Sequence, residues 1–319
     1  MKTAEKLYII IPCYNEEAVL HETRRRLKEK MQNMINEKLI LGDSRIVFVD
    51  DGSNDKTWSI IKEMHQEDPM ILGIKSSRNR GHQNTLLEGL ITVKDECDMV
   101  ISMDADLQDD IGVMDLFIEQ YYAGCDIVYG VRSARKTDTF FKKFTAETFY
   151  KFMNNIGVEI IYNHADYRLM SQRALNELSN FKEVNLFLRG IIPMIGFKTG
   201  CVTYERNERF AGESKYPLKK MLSFALDGIT SLSIKPIRFI SALGIILFGI
   251  SIMLLIHFII GYFIGKTIEG WATLAVSIWG IGGLQLLAIG IIGEYIGKIY
   301  LETKERPRFI VEEFLNNDN

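Results

Sequence analysis

Asp104-Ala105-Asp106 stands directly after the apolar run 99–103, and two carboxylates one residue apart are hard oxygen donors of the kind that hold a divalent cation. A lone Asp-x-Asp is more often a solvated turn. Here it has company. Pro12-Cys13-Tyr14-Asn15-Glu16-Glu17 follows apolar residues 7–11, Asp50-Asp51-Gly52-Ser53-Asn54-Asp55 follows 46–49, and Arg78-Asn79-Arg80-Gly81-His82-Gln83 follows 71–74. The acidic triplet continues into Leu107-Gln108-Asp109. A carboxylate pair beside a side-chain amide suits Mg²⁺ or Mn²⁺ bridging a diphosphate. Further on, Arg132 and Arg135 follow apolar 127–129, and Arg206, Arg209 and Lys215 precede a long apolar region. Guanidinium forks match phosphate oxygens bidentately, so the second group of charges also points to phosphate.

The elements that must position these residues are legible around them. The apolar runs alternate with segments of helical spacing at 18–37, 56–66, 83–93 and 113–123. That alternation predicts an α/β fold, a mostly parallel sheet with helices on both faces. Such sheets bind ligands beyond the carboxyl ends of their strands, which brings the four polar loops to one cleft. Asn54-Asp55 before Lys56-Thr57 supplies a helix cap. The sequence has no internal repeat and no low-complexity linker.

Behind this polar body lie two apolar runs, 237–265 and 271–299. At about 1.5 Å per residue each can cross a bilayer core of roughly 30 Å. A phosphate-handling head on a two-helix anchor implies one water-soluble and one lipid-embedded substrate. Lys215, Lys219, Lys220, Lys235 and Arg238 precede or open the first run, and Lys298, Lys304, Arg306 and Arg308 close or follow the second. The connecting loop carries only Lys266 and Glu269, so the positive-inside rule puts both termini in the cytoplasm. Residues 217–234 look amphipathic and are expected to lie along the interface. Gly261 with Gly265, and Gly293 with Gly297, permit close helix contact, while Glu294 is expected to snorkel. The resulting division is a catalytic domain at 1–216, a juxtamembrane helix at 217–235, a transmembrane hairpin at 236–300 and a cytoplasmic tail at 301–319. Residues 1–11 do not read as a signal peptide. A net charge of −3 over 319 residues gives no basic field for nucleic acid. The four cysteines lie far apart, without metal-ligand spacing, and read as reduced thiols.

Taken together, PCYNEE, VDDGSNDKT, SRNRGHQ, DADLQD, HADYRLM and the RxxRxxGESKYP run resemble the inverting family 2 glycosyltransferases of the GT-A fold. More closely, the chain is similar to the polyprenyl-phosphate sugar transferases, the group of bactoprenol glucosyltransferase and dolichol-phosphate mannose synthase. The likeness covers nearly the whole chain. It implies a Rossmann-like GT-A domain followed by an interfacial helix and two transmembrane helices in the bacterial plasma membrane, with the catalytic domain cytoplasmic. It implies that Pro12, Tyr14, Glu16 and Asp51 line a nucleoside pocket. Asp104, Asp106 and Gln108 would hold Mg²⁺ or Mn²⁺, with Asp104 also near the ribose-diphosphate and Asp106 essential to catalysis. Arg206, Arg209 and Lys215 would meet the donor diphosphate, and Arg132 and Arg135 the lipid phosphate. Asp166 matches the acid the family places near the acceptor, as base or as positioner of an arginine. Asp110-Ile111 stands where the family often has proline, which changes the helix start and not the ligands. His82 and His164 are expected to hydrogen-bond or pack, and Lys142 and Lys143 to meet anionic headgroups. Loop 207–217 is expected to close over bound nucleotide. The implied reaction moves glucose or N-acetylglucosamine from a UDP-sugar to undecaprenyl phosphate, on a homo-oligomer such as a tetramer. A GDP-mannose-dependent synthase is the alternative. A processive polysaccharide synthase is another, although it normally carries more spans and a Gln-x-x-Arg-Trp motif.

Overall fold

The computed structural model describes residues 3–133, 164–184, 186–206, 235–264 and 270–317. The first half alternates strand and helix in the expected order. Strands β1 (Leu7–Cys13), β2 (Arg45–Asp50), β3 (Ile71–Ser76) and β4 (Met99–Ser102) are separated by α1 (Leu20–Asn36), α2 (Thr57–Glu67) and α3 (His82–Thr92). A short 3-10 turn at Ile111–Val113 leads into α4 (Met114–Tyr122), then β5 (Ile127–Arg132). β6 (His164–Ser171), α5 (Gln172–Asn180), α6 (Leu188–Met194) and β7 (Thr199–Tyr204) follow. Two long helices, α7 (Lys235–Phe263) and α8 (Trp271–Thr303), precede a last strand, β8 (Val311–Leu315).

The eight strands form one sheet in the order β7-β5-β6-β4-β1-β2-β3-β8. β1 pairs in parallel with both β2 and β4, so the strand order reverses between β1 and β4. Ligands bind at such a switch point in open α/β sheets. β6 and β8 run against their neighbours, which makes the sheet mixed but mostly parallel.

β1 is buried along its whole length, as a strand covered on both faces must be. Its residues alternate between two cores. Leu7, Ile9, Ile11 and Cys13 pack with α1, α2 and α4, while Tyr8 and Ile10 pack with α3, α5 and α6. The approach of α3 is tight: a Cβ on Gly89 would lie 2.5 Å from Ile10 Cγ2 and 2.7 Å from Val49 Cγ2. Any larger residue there would lift α3 from the sheet, and α3 begins with His82.

Two expectations change. The tail at 301–319 is in part a sheet element, because β8 pairs antiparallel with the exposed edge of β3. Backbone donors and acceptors left unpaired on β3 supply the reason. Of the two spans, one stretch among the described residues, Gly280–Thr303, is long and apolar enough to cross a membrane by length and composition. By the same measure the described part of α7 yields only the shorter apolar stretch Ile237–Leu247. The interfacial helix expected at 217–235, apart from Lys235 at the start of α7, and Gly265 lie outside the described residues.

Candidate active site

The loops after β1 and β2 are stitched into one wall. Asn15, at φ +53°, turns the chain. Its backbone N–H donates to Ser53 Oγ at 2.9 Å, and its Oδ1 accepts from the Asn54 N–H at 2.9 Å. The Glu16 N–H donates to Thr57 Oγ1 at 2.9 Å, and Asp55 Oδ1 accepts from the Thr57 N–H at 2.9 Å just ahead of α2, whose N-cap is Lys56 and carries no side-chain cap. Asp51 is buried, and its carboxylate accepts the Arg80 and Gly81 N–H groups at 2.6 and 2.9 Å. The carboxylate assigned to a nucleoside thus already fastens the loop after β3. Gly52 makes that closeness possible: at φ +64° a Cβ would lie 2.8 Å from Asn79 N. Pro12 is buried in β1, and Tyr14 beyond it is 36% exposed.

On the other side of the switch point, β4 delivers Asp104 and Asp106. Leu107, buried with φ +58°, forces a left-handed turn that costs a non-glycine residue about 1–2 kcal/mol. The turn folds the Gln108 N–H back onto Asp106 Oδ1 at 3.1 Å. Gln108 Oε1 accepts from Arg206 Nη2, so the amide expected to face the cation is turned to a guanidinium instead. Asp109 is buried and accepts from Tyr204 Oη at 2.5 Å and Arg132 Nη2 at 3.3 Å; Arg132 Nε donates to Tyr204 Oη at 3.2 Å. β5, β7 and the acidic loop therefore share one buried joint.

The centre of the site is a charge network around Asp166, on β6. Arg168 Nη2 donates to it from the protein interior, and Arg189 on α6 donates from the cleft side through Nε at 3.3 Å and Nη2 at 3.1 Å. His82 Nε2 lies 3.6 Å from Asp166 Oδ2 and 3.6 Å from Asp104 Oδ1, linking the two carboxylates. Burial alone would raise the Asp166 carboxyl, but Arg189, His82 and Arg168 hold it well below the usual carboxylate range. For His82 burial works downward, and the Asp166 hydrogen bond with the Asp104 charge overcomes it, raising the imidazole to about 9. Asp104 is pushed up to about 6, first by desolvation and then by Asp109, Asp166 and Asp106, against the pull of His82.

A divalent cation fits the acidic pair on the chemistry of its donors. Asp104 is crowded by like charges that a cation would neutralise. Among the described residues no group of three or more His, Cys, Asp or Glu side chains is arranged to hold a metal. Asp104 and Asp106 are the two carboxylates that would be available to such a cation.

The structure brings together Asp51, Asp104, Asp106, Gln108, Arg132, Asp166 and Arg206 in loops and strand ends at the carboxyl end of the parallel strands. Arg135, Lys142, Lys143, Arg209, Lys215 and loop 207–217 lie outside the described residues. Sequence reasoning passed over Arg189, and it expected His82 to hydrogen-bond or pack without naming Asp166 and Asp104 as its partners. Asp109 and Tyr204 were also missed. The spacing of charges after α5 held a faint signal for Arg189, a lone arginine in the otherwise apolar run 186–195.

Residues 8–179 match the profile of Glycosyl transferase family 2. "Uncharacterized glycosyltransferase YkoT" of Bacillus subtilis (strain 168) is 55% identical over 312 residues, 98% of this chain and 93% of that protein. "Bactoprenol glucosyl transferase" of Shigella phage SfX is 39% identical over 309 residues, 96% of this chain and 99% of that protein. The solved structure of glucosyl-3-phosphoglycerate synthase from Mycobacterium tuberculosis with Mn²⁺, UDP-glucose and phosphoglyceric acid is 14% identical, covering 72% of this chain and 78% of that one at a TM-score of 0.46. A likeness that distant carries no argument about donor, metal or acceptor. A profile match over more than half the chain, relatives aligned almost end to end, and an acidic site at the switch point agree: the protein is a glycosyltransferase and belongs to glycosyl transferase family 2.

Proposed function

We propose that the enzyme transfers a hexose, glucose or N-acetylglucosamine, with inversion from a UDP-sugar to polyprenyl phosphate, giving a lipid-linked sugar for cell-envelope glycosylation. One observation carries the reading. A cation-fitting carboxylate pair faces an arginine-lined edge in a cleft whose sheet is completed by a strand lying beyond a long exposed apolar helix. The name of the phage relative, a bactoprenol glucosyl transferase, supports the acceptor class.

A phosphomonoester has its second pKa near 6, so the acceptor is largely a dianion at neutral pH. It attacks the anomeric carbon without first losing a proton. The bond from that carbon to the acceptor oxygen forms as the bond to the diphosphate oxygen breaks, and nucleoside diphosphate leaves. A base is not needed, and Asp166, held ionised by its cationic neighbours, orients those neighbours. The walls built by Tyr14, Glu16 and Asp51 would receive the nucleoside, and Arg206 with Arg209 and Lys215 the diphosphate. Mg²⁺ or Mn²⁺, held by Asp104 and Asp106, would neutralise charge on the leaving diphosphate as a Lewis acid.

Two membrane crossings, by α7 and α8, belong to this proposal, and the pairing of β8 supports an even number. β8 comes after α8 yet pairs with β3, so the chain on either side of the helices lies on one side of the bilayer. Crossings between β7 and β8 then come in even number. Positive charge near the helix ends favours the cytoplasm for that side, in a bacterial plasma membrane. Assembly as an oligomer through the glycine-bearing helix faces belongs to the same proposal.

The test is direct. Full-length protein in detergent, given radiolabelled UDP-glucose or UDP-N-acetylglucosamine with undecaprenyl phosphate and Mg²⁺, should move label into the organic phase. Label that stays aqueous with every nucleotide sugar, GDP-mannose included, would sink the proposal.

A further inference from the structure

We propose that Arg189 binds the acceptor's phosphate and that Asp166 is the positioning residue that aims it. The inference rests on the acceptor class proposed above.

Three guanidinium groups converge on this part of the cleft, and they differ in what is left to offer. Arg168 is 1% exposed, so it can serve only as an interior counter-charge. Arg132 is 22% exposed, and it is tied to buried Asp109 and to Tyr204. Arg189 is 33% exposed and spends its Nε and one Nη2 proton on Asp166. A guanidinium carries five N–H donors in a rigid fork. Three therefore remain, two on Nη1 and one on Nη2, along an edge that matches two phosphate oxygens.

Placement separates acceptor from donor. The nucleoside wall is built by the loops after β1 and β2, and the acidic pair follows β4 on the other side of the switch point. Asp166 comes from β6, the next strand outward, so Arg189 lies beyond the acidic pair as seen from the nucleoside wall. A nucleophile that displaces the diphosphate must approach from a side other than the leaving group's, and this is the side the arginine occupies. His82 completes the logic, because it touches both Asp166 and Asp104 and so keeps the acceptor-side network in register with the acidic pair.

The helix also fixes where Arg189 sits. α6 buries Leu188, Ile191 and Ile192 against the sheet, leaving the arginine on the outward side. The Leu188 N–H donates to Gln83 Oε1 at 3.0 Å, beside His82 on α3.

The experiment uses the full-length enzyme with undecaprenyl phosphate as acceptor, at saturating donor. Arg189→Ala should raise the acceptor KM at least tenfold, while UDP affinity measured by calorimetry changes less than twofold. Arg189→Lys, which keeps the charge and loses the fork, should fall between. Asp166→Asn should shift the acceptor KM the same way, and combining it with Arg189→Ala should cost less than the product of the two, because both act through one guanidinium. Thermal unfolding of each variant separates this from misfolding, and Arg189→Lys carries the test if Arg189→Ala does not fold. An unchanged acceptor KM in Arg189→Ala or Arg189→Lys would overturn the proposal, as would weakened UDP binding with unchanged lipid dependence. A wild-type enzyme that labels no lipid at all would instead remove the reading of the acceptor, and this inference with it.

Discussion

Asp106 and Arg132 show how differently two residues of one site should respond to substitution. Asp106 is buried beyond β4, and its Oδ1 accepts the Gln108 N–H. Asp106→Asn should cut turnover to near background with an unchanged melting temperature, and excess EDTA should do the same to the wild type. Full activity in EDTA would remove the cation from the scheme. Arg132 is different, because it neutralises Asp109, whose side chain is 1% exposed and whose Oδ2 has no hydrogen-bond partner. Removing one partner of a buried pair costs roughly 3–5 kcal/mol, and the partial exposure of Arg132 brings the expectation for Arg132→Ala down to about 2–4 kcal/mol. Urea unfolding should read that loss, and adding Asp109→Asn should recover part of it. A wild-type unfolding midpoint for Arg132→Ala would mean that the pair contributes little, leaving the arginine for acceptor phosphate alone. Asp104 and Asp106 were legible in sequence, since acidic residues at a strand end stand out against an apolar run, whereas Asp166 came into view only through the family resemblance. The pairing of Asp104 with Asp166 through His82 was not legible, because contacts between loops distant in the chain exist only once the sheet brings its strand ends together.

Among the elements, β8 decides most about how head and anchor are joined. Glu302, near the end of α8, accepts the Val184 N–H at 2.8 and 3.0 Å, and Arg308 Nη1 donates to Phe181 O at 2.6 Å. The chain then pairs with β3, where Lys75 meets Glu312 and Lys62 meets Glu313, each at 2.9 Å. Both ion pairs are exposed, and such pairs are worth about 0–1 kcal/mol. Half-buried Phe314 and Leu315 matter more, since full burial of such a side chain is worth about 1.5–3 kcal/mol. Ending the chain after Arg308 should therefore lower the melting temperature by about 5–10 °C, at roughly 2–4 °C per kcal/mol. Glu312→Ala with Glu313→Ala should move it by less than about 2 °C by the same arithmetic. Equal shifts from both variants would show that charge, and not strand burial, fastens the segment. The helices and parallel strands of the first half followed from periodicity, within a residue or two at most ends. β6 and β8 did not: one carries the buried Arg168, the other two adjacent glutamates, and neither shows the apolar run that marks a covered strand.

For the whole molecule, the consequence of β8 is topological. A cysteine placed at position 267, in the connection between the two long helices, should react with an impermeant thiol reagent from outside intact cells. A cysteine in place of Asn316 should react only after lysis, because the segment that includes β8 shares a sheet with the catalytic strands. Labelling of both from outside, or of 316 alone, would break the parity argument and separate the site from a cytoplasmic nucleotide sugar.

The sequence by itself determined the layered α/β plan, the acidic pair at a strand end, the family, and the presence of long apolar helices. These are local properties: composition, periodicity and short motifs survive in a one-dimensional reading because the residues that carry them are neighbours in the chain. Tertiary structure alone decided that Asp51 fastens the loop after β3, that Gln108 faces Arg206, and that Arg189 and His82 surround Asp166. It also decided that the chain returns from α8 to close the sheet edge. Each of these is a contact between distant segments, fixed by which strand lies next to which, and strand order is set by the packing of two cores on one sheet, which no window of sequence contains.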